Sequence, residues 1–262
     1  MNILIPTDFS KNSLNAFEFA LTCFPMASFT VLHCVNIRQA NTATMVVDIH
    51  SEIKAIKEIS LKKLITKIKL KHPKVKLIGK VEIGWFTQTI NEEVETSKID
   101  LVCIGTKGLS GLEEVLIGSN ATDAVRNVSI PLIVVPESTQ LKKPKTIFLA
   151  SDFTTESYEN ENQIIDTVRT YFDARLDLLH IQHHNDKTDG MSYSKIIESK
   201  DIDVFVEKSE DIEEAILNFA HANNYDMIVM VPKDRGVIMN LFHRSLTKKM
   251  SMHSDLPLFI WK

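Results

Sequence analysis

The sequence predicts an α/β protein built as two tandem doubly wound domains, each a mostly parallel five-stranded sheet with helices on both faces. Three observations carry this. The second half of the chain repeats the first, short apolar runs alternate with amphipathic segments, and several of those runs are apolar without a break. Repetition comes first because it divides the chain. Ile3-Leu4-Ile5-Pro6-Thr7-Asp8-Phe9-Ser10 recurs as Ile147-Phe148-Leu149-Ala150-Ser151-Asp152-Phe153-Thr154, an offset of 144. Val31-Leu32-His33-Cys34 recurs as Leu178-Leu179-His180-Ile181 at an offset of 147. Asp100-Leu101-Val102-Cys103-Ile104 recurs as Asp226-Met227-Ile228-Val229-Met230, and Pro131 to Val135 recurs as Pro257 to Trp261, both at 126. The drop from 147 to 126 removes about 21 residues from the middle of the second copy. The domains then cover residues 1–138 and 144–262, joined by a polar linker with proline at both ends, Pro136 and Pro144.

Within the first copy the elements follow in order. Residues 2–7 open as a strand. Residues 10–24 form a helix, because Leu14, Phe17, Leu21 and Phe24 share one face of a 3.6-residue period and Ser10 is a natural N-cap. Strand 29–36, helix 46–71, strand 75–83 and helix 87–97 continue the alternation. Strand 100–105, helix 119–128 and strand 131–135 complete it. Runs such as Leu101-Val102-Cys103-Ile104 and Leu132-Ile133-Val134-Val135 suit strands buried on both faces, as in a parallel sheet covered by helices. Such alternation gives the doubly wound fold. The second copy keeps only a stub of the long second helix, around Met191 to Ser199.

Composition excludes several functions. Residues 1–140 carry 15 basic and 14 acidic side chains, and residues 141–262 carry 15 and 20, so neither half has the basic excess of a nucleic-acid binder. The lysines from Lys62 to Lys80 are interleaved with apolar residues on a helix and read as a solvated face. No run of 18 apolar residues predicts a membrane span, and the start turns acidic at Asp8, too soon for a signal peptide. Neither a membrane nor a nucleic acid is expected as a partner. Cys23, Cys34 and Cys103 sit in separate apolar stretches and read as buried, reduced thiols of a cytoplasmic protein. His180-Ile181-Gln182-His183-His184 lacks an acid or cysteine at ligand spacing, so no metal site is expected there.

Four of the eight glycines, Gly105, Gly108, Gly111 and Gly118, fall between residues 105 and 118. The segment joins a strand end to a helix start. A glycine there admits a ligand close to the backbone, and with a helix N-terminus such a loop aims several N–H groups at one anion. Its spacing fits neither a P-loop nor the G-x-G-x-x-G fingerprint.

Gly105-Thr106-Lys107-Gly108, nine residues, then Gly118-Ser119 resembles the G-x2-G-x9-G-(S/T) element of ATP-binding universal stress proteins. Pro6-Thr7-Asp8-Phe9-Ser10, His33-Cys34-Val35 and Pro131 to Val135 are similar to that family in order and spacing. The resemblance covers the whole first copy and, more weakly, the second. It implies an adenine nucleotide alpha hydrolase-like fold and a nucleotide site made by Pro6, Thr7, Asp8, Cys34, Ile104, Gly105, Gly108, Gly118, Ser119 and Asn120. In it Asp8 and the backbone around Cys34 hold adenine and ribose, Gly105 and Gly108 flank the phosphates, and Gly118 and Ser119 bind them. The implied ligand is ATP, with or without Mg2+. The family usually has an aliphatic residue where Cys34 stands.

The second copy departs from the motif. At the offset of 126, Gly105, Gly108 and Gly118 become Val231, Asp234 and Arg244, and only Ser119 is kept, as Ser245. Pro232 removes a donor, and Asp234 sets a carboxylate where phosphate would lie. The expected function is therefore a stress-response or regulatory protein that binds ATP in its first domain only. No catalytic set is evident beyond the room for slow ATP hydrolysis. The two domains are expected to pair with each other through their last strands, and a homodimer stays open. A ligand-free interaction scaffold and an adenylyl-transferring enzyme are the alternatives.

Overall fold

The structure, a computed structural model of the 262-residue chain, describes residues 1–36, 46–106, 118–151, 158–182, 202–231 and 256–262. It divides into two compact units, Met1–Leu141 and Lys142–Lys262.

The first unit runs β1 (Asn2–Pro6), α1 (Lys11–Cys23), β2 (Ser28–Val35), α2 (Val46–Lys71), β3 (Lys76–Ile83), α3 (Phe86–Thr96), β4 (Leu101–Gly105), α4 (Ser119–Asn127), β5 (Leu132–Val135). Each element lies within about two residues of its sequence expectation. The strands are parallel in the order β3-β2-β1-β4-β5. β1 and β4 are neighbours, so the chain reverses its direction of winding between them, and the carboxyl ends of these two strands open a crevice.

The second unit runs β6 (Thr146–Ala150), α5 (Tyr158–Phe172), β7 (Arg175–Gln182), β8 (Val204–Lys208), α6 (Ile212–Ala222), β9 (Met227–Met230), β10 (Leu258–Ile260). Its order, β10-β9-β6-β7-β8, repeats that of the first unit strand for strand. Met191 to Ser199, the expected helix stub, lies outside the described residues.

Of the stripe Leu14, Phe17, Leu21 and Phe24, the two phenylalanines are buried and the two leucines lie at the margin of the buried face of α1. Leu14 and Leu21 are only half-buried, while Ala16, Ala20, Phe19 and Cys23 are buried together with Asn12 and Ser13. Small side chains at Ala16 and Ala20 let the helix lie close to the sheet, and the Cys103 thiol of β4 reaches the Ala16 carbonyl at 3.4 Å. The Ser10 cap is as expected, its side chain accepting from the Ser13 N–H.

The aspartate shared by the two copies has a structural task. Asp100 accepts the Asn2 N–H at 2.7 Å, and Asp226 accepts the N–H groups of Lys145 and Thr146 at 2.8 and 3.1 Å. Each carboxylate thus holds the start of its unit's first strand beside the strand that follows the aspartate. Lys142 adds an ion pair to Asp226 at 2.6 Å. Burial pushes the Asp226 carboxyl up, but the bonds from Lys142, Lys145 and Thr146 outweigh it and hold the group below its ordinary value. A carboxylate depressed in the folded state stabilises above its unfolded pKa of about 3.9. That contribution fades as pH falls through the lower folded value. Asp226→Asn is expected to cost about 1–2 kcal/mol at neutral pH, with the deficit shrinking toward about pH 2. Denaturant midpoints of the two proteins across that range check this, and an equal deficit at both ends would remove the carboxylate from the explanation.

Candidate functional site

At the crevice between β1 and β4 lies a cleft open to solvent. Pro6, Thr7 and Asp8 enter it from the end of β1, and Cys34 with His33 from the end of β2. Ile104, Gly105 and Thr106 enter from the end of β4, and Gly118, Asn120 and Ala121 from the head of α4. Ser13 and Phe86 complete the wall. Ser119 heads α4 beside the cleft without lining it, and Gly108 lies outside the described residues, as do Lys107 and Gly111.

The loop after β1 is held by its own side chains. Thr7 Oγ1 accepts the Phe9 N–H at 3.0 Å and meets Ser13 Oγ at 2.9 Å. Asp8 Oδ1 accepts the Ser10 N–H at 3.0 Å, which turns the chain into α1. Phe9 consequently sits at φ 70°, a conformation that strains a bulky residue. Its ring packs on His33, with centroids 4.5 Å apart, and the Lys57 ammonium stands 5.6 Å from the ring centre.

His33 explains why the repeat keeps a histidine. Its Nδ1 lies 2.7 Å from the Thr7 carbonyl. A carbonyl only accepts, so Nδ1 carries the proton and donates it. His180 makes the same bond to the Ser151 carbonyl at 3.1 Å in the second unit. In each domain this ring ties the carboxyl end of the first strand to that of the second. Burial lowers the His33 pKa most; Lys57 adds to that, against the Thr7 bond and Asp8. Ordinary histidine titrates near 6.5, so the ring is neutral at pH 7.

Cys34 contributes a wall and a backbone edge. Burial, then the charge of Glu82, pushes its thiol up to about 12, so it stays protonated and inert as a nucleophile. In a parallel ladder alternate residues turn their N–H and C=O to the same neighbour. Leu32 turns toward β1, since its carbonyl accepts the Thr7 N–H, and so therefore does Cys34. The register of β1 with β2 ends at Pro6↔Leu32. The N–H and C=O of Cys34 thus extend past the end of the ladder toward the cleft.

The two glycines of the cleft differ in purpose. A Cβ at Gly105 would stand 2.8 Å from the Asn12 carbonyl oxygen and 2.9 Å from the Asn12 side chain. Glycine is needed there because α1 lies against the end of β4, and Gly105 lines the cleft as well, so close packing adds a second demand to the one expected from a ligand. Gly118 has φ −73° and ψ 162°, open to any residue, so backbone conformation does not demand glycine. Its N–H donates to the Thr106 carbonyl at 2.6 Å, closing the base of the loop between residues 106 and 118. As the N-cap of α4 it offers no side chain to the first turn, and that turn carries no acidic residue. The positive end of the helix dipole therefore meets the cleft without a protein carboxylate on the helix to answer it. No lysine or arginine is among the described residues that line the cleft.

Thr106, Ser13, Phe86, His33 and Ala121 are wall residues beyond the expected set. His33 had a signal in the repeat and Thr106 lies within the glycine segment, but Ser13 and Phe86 reach the cleft through tertiary packing alone. In the second unit, Val231 follows β9 where Gly105 ends β4. Asp152, Pro232, Asp234, Arg244 and Ser245 lie outside the described residues.

Comparison with known proteins adds a family. Residues 1–136 match the pattern of the Universal stress protein family. A universal stress protein of Methanocaldococcus jannaschii is 43% identical over 56 residues, 21% of this chain and 29% of that protein. The match therefore spans less than a third of the relative. A universal stress protein structure from Archaeoglobus fulgidus aligns with a TM-score of 0.72 at 19% identity, covering 100% of this chain and 96% of that one. A Pseudomonas aeruginosa structure assigned to the same family gives 0.63 at 12% identity, covering 100% and 92%. At such identities the structural likenesses speak for the fold.

Proposed function

The chain belongs to the universal stress protein family, and from that premise we propose that its first domain, residues 1–138, binds one adenine nucleotide, ATP. The second domain, residues 144–262, is a degenerate copy that binds none. One observation carries the reading: the cleft sets a backbone donor–acceptor pair at Cys34 opposite the unanswered N-terminus of α4. Adenine presents an acceptor at N1 beside a donor at N6, which suits a C=O and N–H pair. Guanine presents the reverse and is refused. The phosphates lie at α4, held by N–H groups and the helix dipole. Asp8 stands at the ribose side, its carboxylate already engaged in turning the chain. Where Mg2+ accompanies the nucleotide, the phosphates carry it.

Calorimetry with the full chain tests this. One ATP per chain is expected, with GTP weaker by about 100-fold, the discrimination expected when buried polar groups are left unpaired. Two equivalent sites would overturn the assignment of the second domain. No binding would return the protein to the class of ligand-free scaffolds. The role that follows is regulatory, a cytoplasmic stress-response protein whose state is set by nucleotide. The three cysteines in no disulfide suit that compartment.

The end strands β5 and β10 pair within the chain in this reading, since each would otherwise leave a sheet edge to cover and tandem linkage raises the effective concentration of the contact. β10 is also part of its own unit's core, with Phe259 packed against Phe172, so truncation would destroy more than the pairing. Sedimentation equilibrium is the cleaner measurement. A monomer is expected, and a stable dimer would mean that the edges pair between chains instead.

A further inference from the structure

The helix α2 carries apolar residues on two opposite sides. One side is the expected one: Leu61 and Ile68 are buried against the sheet. On the other, Ile56, Ile59 and Leu70 point away from the domain, 60%, 58% and 78% exposed. With Lys63 and Lys67 they fall at i, i+3, i+7, i+11 and i+14, a single stripe on the outer face. Lys62, Lys63, Lys67 and Lys69 are all exposed. None of them has an ion pair among the described residues, whereas Lys54 and Lys71 pair with Glu82 and Glu18. Glu52 and Glu58 are the acids on residues 51–71, both toward the N-terminal half. Beside the exposed lysines expected of a solvated face, this stretch thus carries three large aliphatics on the same side.

We propose that the outer face of α2 is a docking surface for an anionic phospholipid bilayer. Three features select that occupant. The stripe is a convex ridge, and three side chains fall well short of the roughly 800 Å2 that each partner buries in a stable protein–protein contact. Four lysines beside it, without an ion pair among the described residues, match a negative surface and would repel a second copy of the same face. Lysine stems can also lie along the aliphatic ridge while their ammonium groups reach headgroups at the interface. The helix lies flat on its own sheet, so docking is peripheral. No helix among the described residues is long and apolar enough to cross a membrane.

Cosedimentation of the full chain with vesicles is the test. Phosphatidylcholine vesicles with about one-third phosphatidylserine are expected to retain the protein and pure phosphatidylcholine vesicles to release it. About 1 M salt, where screening shortens to about 3 Å, should release it as well. The variants I56S/I59S/L70S and K62Q/K63Q/K67Q/K69Q are each expected to lower partitioning by roughly tenfold or more. Both should keep the wild-type melting temperature and ATP titration, because every altered side chain is exposed. Failure of the wild type to sediment with phosphatidylserine vesicles would overturn the proposal. So would unchanged binding by the Ile/Leu variant, or sedimentation analysis in which that variant breaks a wild-type dimer.

Discussion

Gly118→Val is expected to reduce nucleotide affinity by at least about 100-fold, the equivalent of about 2.7 kcal/mol, with the fold of the first domain kept. The loss follows from position: Gly118 lines the cleft and caps α4, so a branched side chain stands where phosphate meets N–H groups. Retention of the fold follows from its dihedrals, φ −73° and ψ 162°, which valine adopts freely. The N–H that closes the loop on Thr106 at 2.6 Å is kept as well. Losing glycine at an N-cap costs the helix only about 1 kcal/mol. Gly105→Ala is the contrasting control. Its Cβ would press on the Asn12 backbone at 2.8 Å, so affinity and stability should fall together. Calorimetry paired with thermal melts separates the two. If the valine variant binds ATP like the wild type, the helix end is not the phosphate site.

That contrast marks a boundary in what the sequence reveals. A glycine ending a strand is visible from sequence, but whether it makes room for a ligand or for a neighbouring helix depends on what lies across from it. Asn12 lies across from Gly105, 93 residues earlier in the chain. The alternation of elements was legible because buried parallel strands are apolar on both faces and helices are not. The exact face of α1 was less so, since alanines and a cysteine form its closest contact while larger leucines lie at its margin. α2 was legible as a helix over Val46–Lys71, but the exposure of its second stripe was not. Its aliphatics fall on opposite sides, and periodicity cannot say which side meets a sheet.

The site was legible where a short segment carries it, as at Pro6 to Asp8. It was not where tertiary packing brings single residues together, as at Ser13 and Phe86. The repeat supplied a further signal that composition averaged away. Residues common to both copies, Asp100 with Asp226 and His33 with His180, prove to hold strands in place in each unit. A residue kept in a copy that has lost the glycines thus points first to architecture, and one lost with them points to the ligand.

The two copies also solve one packing problem in two ways, and this yields the second large effect. In the first unit Lys80 of β3 pairs with Glu93 of α3 at 2.7 and 3.0 Å, and Lys80 also donates to Ser97. Register places Lys80 beside Leu32 and Phe205 of β8 beside Leu179, so Phe205 stands where Lys80 does. At the offset of 126, Phe219 replaces Glu93. The second unit thus has an aromatic pair, with ring centroids 5.1 Å apart, in place of an ion pair. Glu93 is only 7% exposed, so Lys80→Ala strands a desolvated carboxylate, whereas Lys80 is 33% exposed and water screens part of the loss. A cost of about 2–3 kcal/mol is expected, below the full penalty for breaking a buried pair. The double variant K80F/E93F should instead lie within about 1 kcal/mol of wild type, because apolar replacement of a buried pair is often neutral. A Trp261→Phe background leaves Trp85, beside α3, as the sole tryptophan, so its fluorescence follows the first unit through denaturation. A double variant as unstable as Lys80→Ala would show that the two solutions are not interchangeable, and that the ion pair depends on surroundings the second unit lacks.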